Sequence, residues 1–383
     1  MLVRHLTIGG LRSFREQPTQ VDLAPLTLVF GPNSAGKSSL LSVLPMLQQT
    51  SARPEILNMS GDLVEGGTFR MAVHRHDDTI PMTLGFGWTT REGDEHSGSG
   101  EFRWDPSRRV AVRTRFHVDE GGGQAHIDGP RPWGNQPAAA IARRLAPEFY
   151  EVLDRIFFVG PIRARSERTT ALGVGHHQYV GPAGEHMAEL LTDRPDVLDA
   201  LNGWCARMEL GYRVRMLGPM SNELVMSAGD FAVLALEDVR HDPPVLVSER
   251  AVGYGIGQLL PIVTQCLATL GGMIIVEQPE VHIHPRLQAC LGDLFVDTVV
   301  GGRAQLLIET HSEHLILRIL RLVRDGLIEP SQVAVLYVDL HDDGASFVRH
   351  LEVDSDGDLA DGWPGGFFDE RLADVLPSGS VLP

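Results

Sequence analysis

Residues Gly31, Pro32, Asn33, Ser34, Ala35, Gly36, Lys37, Ser38 and Ser39 bring two glycines, one ammonium and adjacent hydroxyls into a short polar loop. An apolar run, Leu26–Phe30, precedes it and a helix-forming stretch, 39–49, follows. A Gly-x4-Gly-Lys-Ser loop between a strand and a helix turns successive backbone N–H groups toward phosphate oxygens. Its lysine reaches the β- and γ-phosphates, and the serine hydroxyl can ligate Mg2+. Composition supports the same chemistry, because Lys37 is the only lysine among 33 basic residues. A compact ammonium is retained where a planar guanidinium would not fit among phosphates. The expected ligands are ATP and Mg2+.

Further chemistry gathers after residue 252. The segment Val252-Gly-Tyr-Gly-Ile-Gly-Gln258 opens a helix that runs to Leu270, and the apolar strand Met273–Val276 ends in Glu277-Gln278-Pro279-Glu280. A carboxylate at the end of a buried strand is where a phosphate-loop enzyme holds its metal. Next come Val281-His282-Ile283-His284-Pro285, a helix at 286–299, a strand Ala304–Ile308, and Glu309-Thr310-His311-Ser312 opening a helix to Arg324. The last strand is Val333–Asp339. Strands alternating with helices imply right-handed crossovers and a largely parallel sheet, with ligands at the carboxyl ends of its strands.

The intervening chain has another texture. Two short strands, 2–8 and 19–23, lead into the loop strand. From about 68 to 128 the pattern predicts antiparallel strands, such as Met82–Thr89 and Val110–Val118, separated by polar turns at Gly93–Gly100 and Gly121–Gly123. A helix Ala138–Leu153, a buried strand Ile156–Val159, a helix at 195–209 and strands near 212–217, 223–227 and 231–238 follow. Sustained heptads are absent between the loop and residue 250, which argues against a long coiled coil.

Composition narrows the function classes. The chain has 383 residues, 43% of them hydrophobic, enough for a large core in two or more lobes. A net charge of −17 disfavours general adhesion to DNA or to an anionic membrane. The charge is uneven, with twelve Arg against eight Asp/Glu over 103–168 and two Arg against eleven Asp/Glu over 331–383. Cys205, Cys266 and Cys290 share no metal-ligand spacing and read as reduced thiols. The N-terminus lacks the apolar core of a signal peptide, and the run Ile256–Val276 is broken by Gln258, Pro261, Gln265 and Gly271-Gly272. The expected compartment is the cytoplasm, with no membrane span.

Taken in order, the phosphate loop, the 253–258 segment, the strand ending Glu277-Gln278 and the His311 loop resemble the ATPase heads of the ABC and structural-maintenance-of-chromosomes (SMC) class. The coil-less RecF-like and overcoming-lysogenization-defect (OLD-like) branches are the most similar. More closely, Gly-Tyr-Gly-Ile-Gly-Gln-Leu-Leu-Pro, Glu-Gln-Pro-Glu-Val-His-Ile-His-Pro, Glu-Thr-His-Ser-Glu-His and the tail Gly362-Trp-Pro-Gly-Gly-Phe-Phe-Asp-Glu370 resemble a bacterial family of AAA/ABC-type ATPases with a C-terminal domain of unknown function.

The resemblance implies an α/β fold: an ATPase head with a mostly parallel sheet, an antiparallel β lobe and a helical insertion. It divides the chain into 1–67, the first part of the head; 68–250, the insertion; 251–330, the second part of the head; and 331–383, the last strand with a small acidic domain. It implies that Glu277 is the Walker B carboxylate, binding Mg2+ together with Ser38. His311 would sense the γ-phosphate, and Gly255, Gly257 and Gln258 would reach nucleotide held by a second copy. A homodimer, a partner protein and a role in anti-phage defence or DNA maintenance follow from the same likeness.

Two departures matter. Gly255 stands where an ABC signature carries serine, leaving backbone N–H groups to contact phosphate. Gln278 stands where the water-polarising glutamate belongs; an amide orients water but cannot take its proton. Turnover below roughly 10 s⁻¹ is expected, with Glu280 as a substitute base.

Weaker signals leave alternatives open. His282 and His284 shape a loop rather than complete a metal site, and His176-His177 reads as a surface turn. Asp354-Ser-Asp-Gly-Asp358 reads as a hairpin turn, the alternative being an acidic nuclease site. Arg103, Arg108, Arg109, Arg113 and Arg115 form either a solvated face or a phosphate-tracking stripe for a RecF-like DNA clamp; alternation puts Arg113 and Arg115 on one face. Arg163 and Arg165 resemble a family motif near a head interface. Gln48 and Gln49 follow the loop too closely for a Q-loop assignment.

Overall fold

The computed structural model describes residues 1–120, 123–128, 138–164, 170–171, 178–218 and 231–364. The expectations for the turn at Gly121–Gly123, Arg165, His176-His177, the strand near 223–227 and the tail beyond Pro364 lie wholly or partly outside those residues.

In chain order the strands are β1 (Leu2–Gly9), β2 (Thr19–Asp22), β3 (Leu26–Phe30), β4 (Met82–Thr89), β5 (Glu95–Asp105), β6 (Val110–Glu120), β7 (Gly123–Asp128), β8 (Ile156–Val159), β9 (Thr170–Ala171), β10 (Tyr212–Leu217), β11 (Phe231–Asp238), β12 (Val245–Ser248), β13 (Met273–Glu277), β14 (Gln305–Glu309), β15 (Val333–Leu340) and β16 (Ser346–Leu351). They form three sheets. The central one has the order β16-β15-β3-β14-β13-β8, parallel from β15 to β8, with β16 antiparallel at one edge. An antiparallel sheet follows the order β2-β1-β4-β5-β6-β7, and a smaller one is built on β10-β11-β12 with β9 paired to β11.

Strand alternation divides the apolar residues of the central sheet between two cores. Leu26, Leu28, Phe30, Ile274, Val276, Leu306 and Ile308 pack with helices Tyr254–Ala268, Pro285–Val300 and Glu313–Arg324. Val29, Met273, Ile275 and Leu307 pack on the other face, against the antiparallel sheet and the helix that follows the phosphate loop. The central strands are buried on both faces, so they read as continuous apolar runs.

The fold class expected from the sequence is the one observed, with local differences. β8 lies inside the stretch read as an insertion, yet it pairs with β13 at the edge of the central sheet, while β1 and β2 belong to the antiparallel sheet. The stretch expected as a turn at Gly93–Gly100 is largely strand β5: a Cβ at Gly98 would lie 2.5 Å from the Phe149 ring, so glycine there admits an aromatic across the sheet. The helix expected over Ala138–Leu153 is two, Ala138–Leu145 and Pro147–Leu153, because Ala146 precedes proline and leaves helical dihedrals. Helix 37–50 is assigned as Lys37–Leu41 and Val43–Thr50, with Ser42 between them in helical dihedrals; Pro45 has no N–H to give Leu41.

The arginine stripe is also corrected. A register shift between Glu101 and Phe102 sets Arg115 opposite Glu101 and Arg113 opposite Phe102, so a bulge at Thr114 reverses the alternation. Arg113 is buried over the Phe116 ring, 4.7 Å from its centroid, whereas Arg115 is exposed. No helix among the described residues is long and apolar enough to cross a membrane.

Candidate functional site

The site lies where β3, β14 and β13 end side by side. Gly31 leaves β3 with φ 142°, and a Cβ there would stand 2.1 Å from the Val338 carbonyl oxygen. Gly36 caps the following helix with φ 106°, facing the Ser346 and Ser13 hydroxyls. Side chains are excluded at both glycines by geometry and space together. Between them, Pro32, Asn33 and Ser34 are exposed and Ala35 is buried. The loop is a cradle of backbone groups, and the Lys37 ammonium now occupies it, donating to the carbonyls of Gly31 at 3.0 Å and Pro32 at 2.7 Å. Burial lowers the Lys37 pKa, with Glu309 opposing. The next hydroxyls diverge: Ser38 faces the carboxylates, whereas Ser39 is buried beside Arg12 at 3.5 Å.

Glu277 and Glu309 are register partners on parallel neighbours, so both carboxylates lie on one face at the strand ends. Ser38 Oγ donates to Glu309 Oε2 at 2.8 Å. Burial first, and the Glu309 charge second, push the Glu277 carboxyl up to about 8, with Arg12 opposing. Burial also raises Glu309, against the pull of the Ser38 hydroxyl, Lys37 and the Gln278 amide. Paired, buried carboxylates beside a P-loop hydroxyl are a hard-oxygen donor set, so these residues fit Mg2+.

Sequence reasoning missed Glu309 and Arg12. The signal for Glu309 was available, since Gln305–Glu309, like Met273–Glu277, is a buried strand ending on a carboxylate. Arg12 gave no local signal; it sits at φ 51° in the β1–β2 connection and lines a cavity of about 230 Å³ with Ser38, Glu277, Phe158 and Pro161.

The remaining expected residues occupy distinct places. Gln278 has φ 46°, and its N–H donates to the Glu309 carbonyl at 2.8 Å. Glu280 is wholly engaged: one oxygen accepts from the Thr310 hydroxyl at 2.8 Å and the other from the His311 N–H at 2.6 Å. It fastens the His311 loop. Burial raises the Glu280 pKa, and burial followed by the Lys37 charge lowers that of the half-buried His311 ring. His284 caps helix Pro285–Val300 through Nδ1, and the His282 ring meets Tyr254 at 4.9 Å.

The 253–258 segment is split by burial. Gly253 and Tyr254 are exposed. Gly255 and Gly257 meet the chain's own atoms: Cβ atoms there would lie 2.6 Å from the His282 carbonyl and 2.5 Å from a Glu249 carboxylate oxygen. Gln258, expected to reach a second copy's nucleotide, is turned inward instead. It is 1% exposed, and its amide brackets the Arg163 backbone, donating to the carbonyl at 2.7 Å and accepting the N–H at 3.3 Å. Arg163, expected near an interface, is fully buried; its guanidinium donates to the carbonyls of Gly160, Glu277 and Gln278 at 3.1, 3.4 and 3.3 Å. Gln48 and Gln49 are held by the Ile156 and Asn58 carbonyls.

A protein-family model described as "AAA domain, putative AbiEii toxin, Type IV TA system" matches residues 234–318, which include Glu277, Gln278, Glu280, Glu309 and His311. A second, described as a protein of unknown function (DUF3696), matches 328–376. Among solved structures, an SMC head bound to the C-terminal winged-helix domain of ScpA is similar with a TM-score of 0.57 at 12% identity, over 92% of this chain and 98% of that one. The chain therefore has the fold of an SMC-type ATPase head, and its second half carries an AAA-domain match. An SMC head domain from Thermotoga maritima is also similar, with a TM-score of 0.49 at 11% identity over 92% of this chain and 100% of that one. No curated protein matches. The site residues come from distant parts of the chain, Lys37 and Ser38 near its start and Glu277 to His311 far beyond them.

The acidic and basic clusters are internally engaged. Asp354 accepts from the N–H groups of Asp356 and Asp358 in a hairpin turn closed by the Val353–Leu359 bridge, and Arg324 bonds Asp358. Arg103 and Arg115 lie 3.0 and 3.6 Å from Glu101, and Arg108 lies 3.8 Å from Asp105.

Proposed function

We propose that this chain binds ATP with Mg2+ and acts as a slowly hydrolysing, homodimerising switch for a partner protein. The observation that carries this reading is the convergence of Lys37, Ser38, Glu277, Glu309 and the Glu280-held His311 loop at one end of the parallel sheet. On nucleotide binding Lys37 exchanges the Gly31 and Pro32 carbonyls for phosphate oxygens, and the loop N–H groups and Arg12 add donors. Ser38 and Glu277 would hold Mg2+, which would neutralise charge developing on the phosphates. His311, held on the loop fastened by Glu280, is the candidate hydrogen-bond donor to a γ-phosphate.

Slow turnover follows from two side chains. Gln278 orients water without accepting its proton, and Glu280 cannot act as a base without releasing the Thr310 hydroxyl and the His311 N–H. The exposed Gly253–Tyr254 end of the signature-like segment is the part available to a second copy, its N–H groups substituting for the absent serine. An SMC head that holds a ScpA domain, and the toxin-system wording of the family description, support a protein partner and a defence setting; DNA maintenance is the related alternative. The DNA-clamp reading is weaker, because Arg103, Arg108 and Arg115 are paired with carboxylates.

Native mass measurement with and without ATP and Mg2+ tests the switch. The expected result is a nucleotide-dependent dimer in the parent protein that Lys37→Ala abolishes. The same mass in every condition would refute it.

A further inference from the structure

The family pattern assigns one carboxylate, at the end of the Walker B strand, to the metal. This chain brings two. Glu309 ends the strand between β13 and the phosphate-loop strand, in direct register with Glu277 on one side and Val29 on the other. It is 2% exposed and locked at the backbone, its carbonyl accepting the Gln278 N–H while the next N–H, from Thr310, donates to Val29. Its side chain accepts the Ser38 hydroxyl proton at 2.8 Å and a further hydrogen bond from the Gln278 amide. A serine hydroxyl whose proton is committed to a carboxylate keeps both lone pairs for a cation.

We propose that Glu309 is a second carboxylate of the metal–nucleotide site, orienting the Ser38 hydroxyl for Mg2+ and making nucleotide binding depend on the metal. The inference rests on the proposed ATP-binding function and deepens it. The negative charge held by this buried pair repels a metal-free nucleotide and attracts a divalent cation, so the site favours the metal complex over the bare nucleotide. Partners that orient a metal's ligands commonly change metal affinity 10–100-fold when removed.

The test is Glu309→Gln, which keeps size and the acceptor for Ser38 but removes the charge, with Glu309→Asp keeping the charge at shorter reach. Thermal melting checks that both variants fold. Binding of a fluorescent, non-hydrolysable ATP analogue is titrated with Mg2+ and repeated in chelator. For Glu309→Gln the Mg2+ concentration for half-maximal binding should rise by about tenfold or more, while affinity in chelator increases. Glu309→Asp should stay as weak in chelator as the parent. A half-maximal concentration within about twofold of the parent for Glu309→Gln, well below that 10–100-fold range, would overturn the inference and leave the ATP-binding function standing. No analogue binding by the parent at any Mg2+ concentration would overturn both.

Discussion

Replacing Arg163 by methionine separates global stability from the integrity of the site. The guanidinium is fully buried, and burial holds its pKa down to about 10, well below the ordinary arginine range, with Glu280 and Tyr254 opposing. That displacement corresponds to roughly 3 kcal/mol unfavourable to the buried charge. Its three bonds to carbonyls are long, 3.1 to 3.4 Å. The Gln278 carbonyl keeps the Val281 N–H at 3.2 Å, so leaving the other two acceptors bare costs about 1 kcal/mol each at the low end of the usual range, together about 2 kcal/mol. The two effects nearly offset, so Arg163→Met should change the free energy of urea unfolding by no more than about 1 kcal/mol, as for other buried charges replaced by apolar residues of similar size.

The local effect is not offset. Gln278 stands at φ 46°, held by Arg163 and the Val281 N–H on its carbonyl and by Glu309 on its N–H. Such backbone stores of order 1–3 kcal/mol and persists only where its surroundings impose it. Removing one of the carbonyl's two donors should lower the hydrogen-exchange protection of the Gln278 N–H by about tenfold for each 1.4 kcal/mol of strain relieved. Exchange followed residue by residue beside a urea melt provides both numbers. Unchanged protection at Gln278, or a loss of several kcal/mol in the melt, would refute the reasoning.

Two further outcomes are expected. Gln278→Glu supplies the missing proton acceptor and should raise single-turnover ATP hydrolysis by roughly 100-fold, the lower range for a positioned base; an unaltered rate would show that proton transfer does not limit turnover. Asp238 is held down to about 2, first by its hydrogen bond with Arg240, so its contribution is complete above about pH 4, the ordinary carboxylate range, and is lost as pH falls through 2. Asp238→Asn should therefore lower stability at neutral pH and flatten the acid limb between those values; an acid unfolding curve parallel to the parent's would contradict this.

The chemistry of the site was legible where it depends on neighbours in the chain. Loop spacing, the apolar run before it, and carboxylates at strand ends are local patterns, and β3, β4, β8 and β13 appear where those patterns put them. Local patterning failed where a distant group redirected a segment. Gly98 serves the Phe149 ring rather than a turn, the bulge at Thr114 separates Arg113 from Arg115, and Pro147 divides a helix whose apolar periodicity continues.

The sequence by itself determined that a glycine-bounded loop with a lysine, a carboxylate ending a buried strand and a histidine loop exist on a parallel sheet, because each is written in consecutive residues. Which side chains meet was decided only by the tertiary structure. Ser38 and Glu309 are 271 residues apart and become hydrogen-bond partners through the register of β3 against β14. Gln258 turns from a presumed partner contact to the Arg163 backbone, and Glu280 from a presumed base to the anchor of His311. Register and burial set those contacts, and neither is a property of a short stretch of chain.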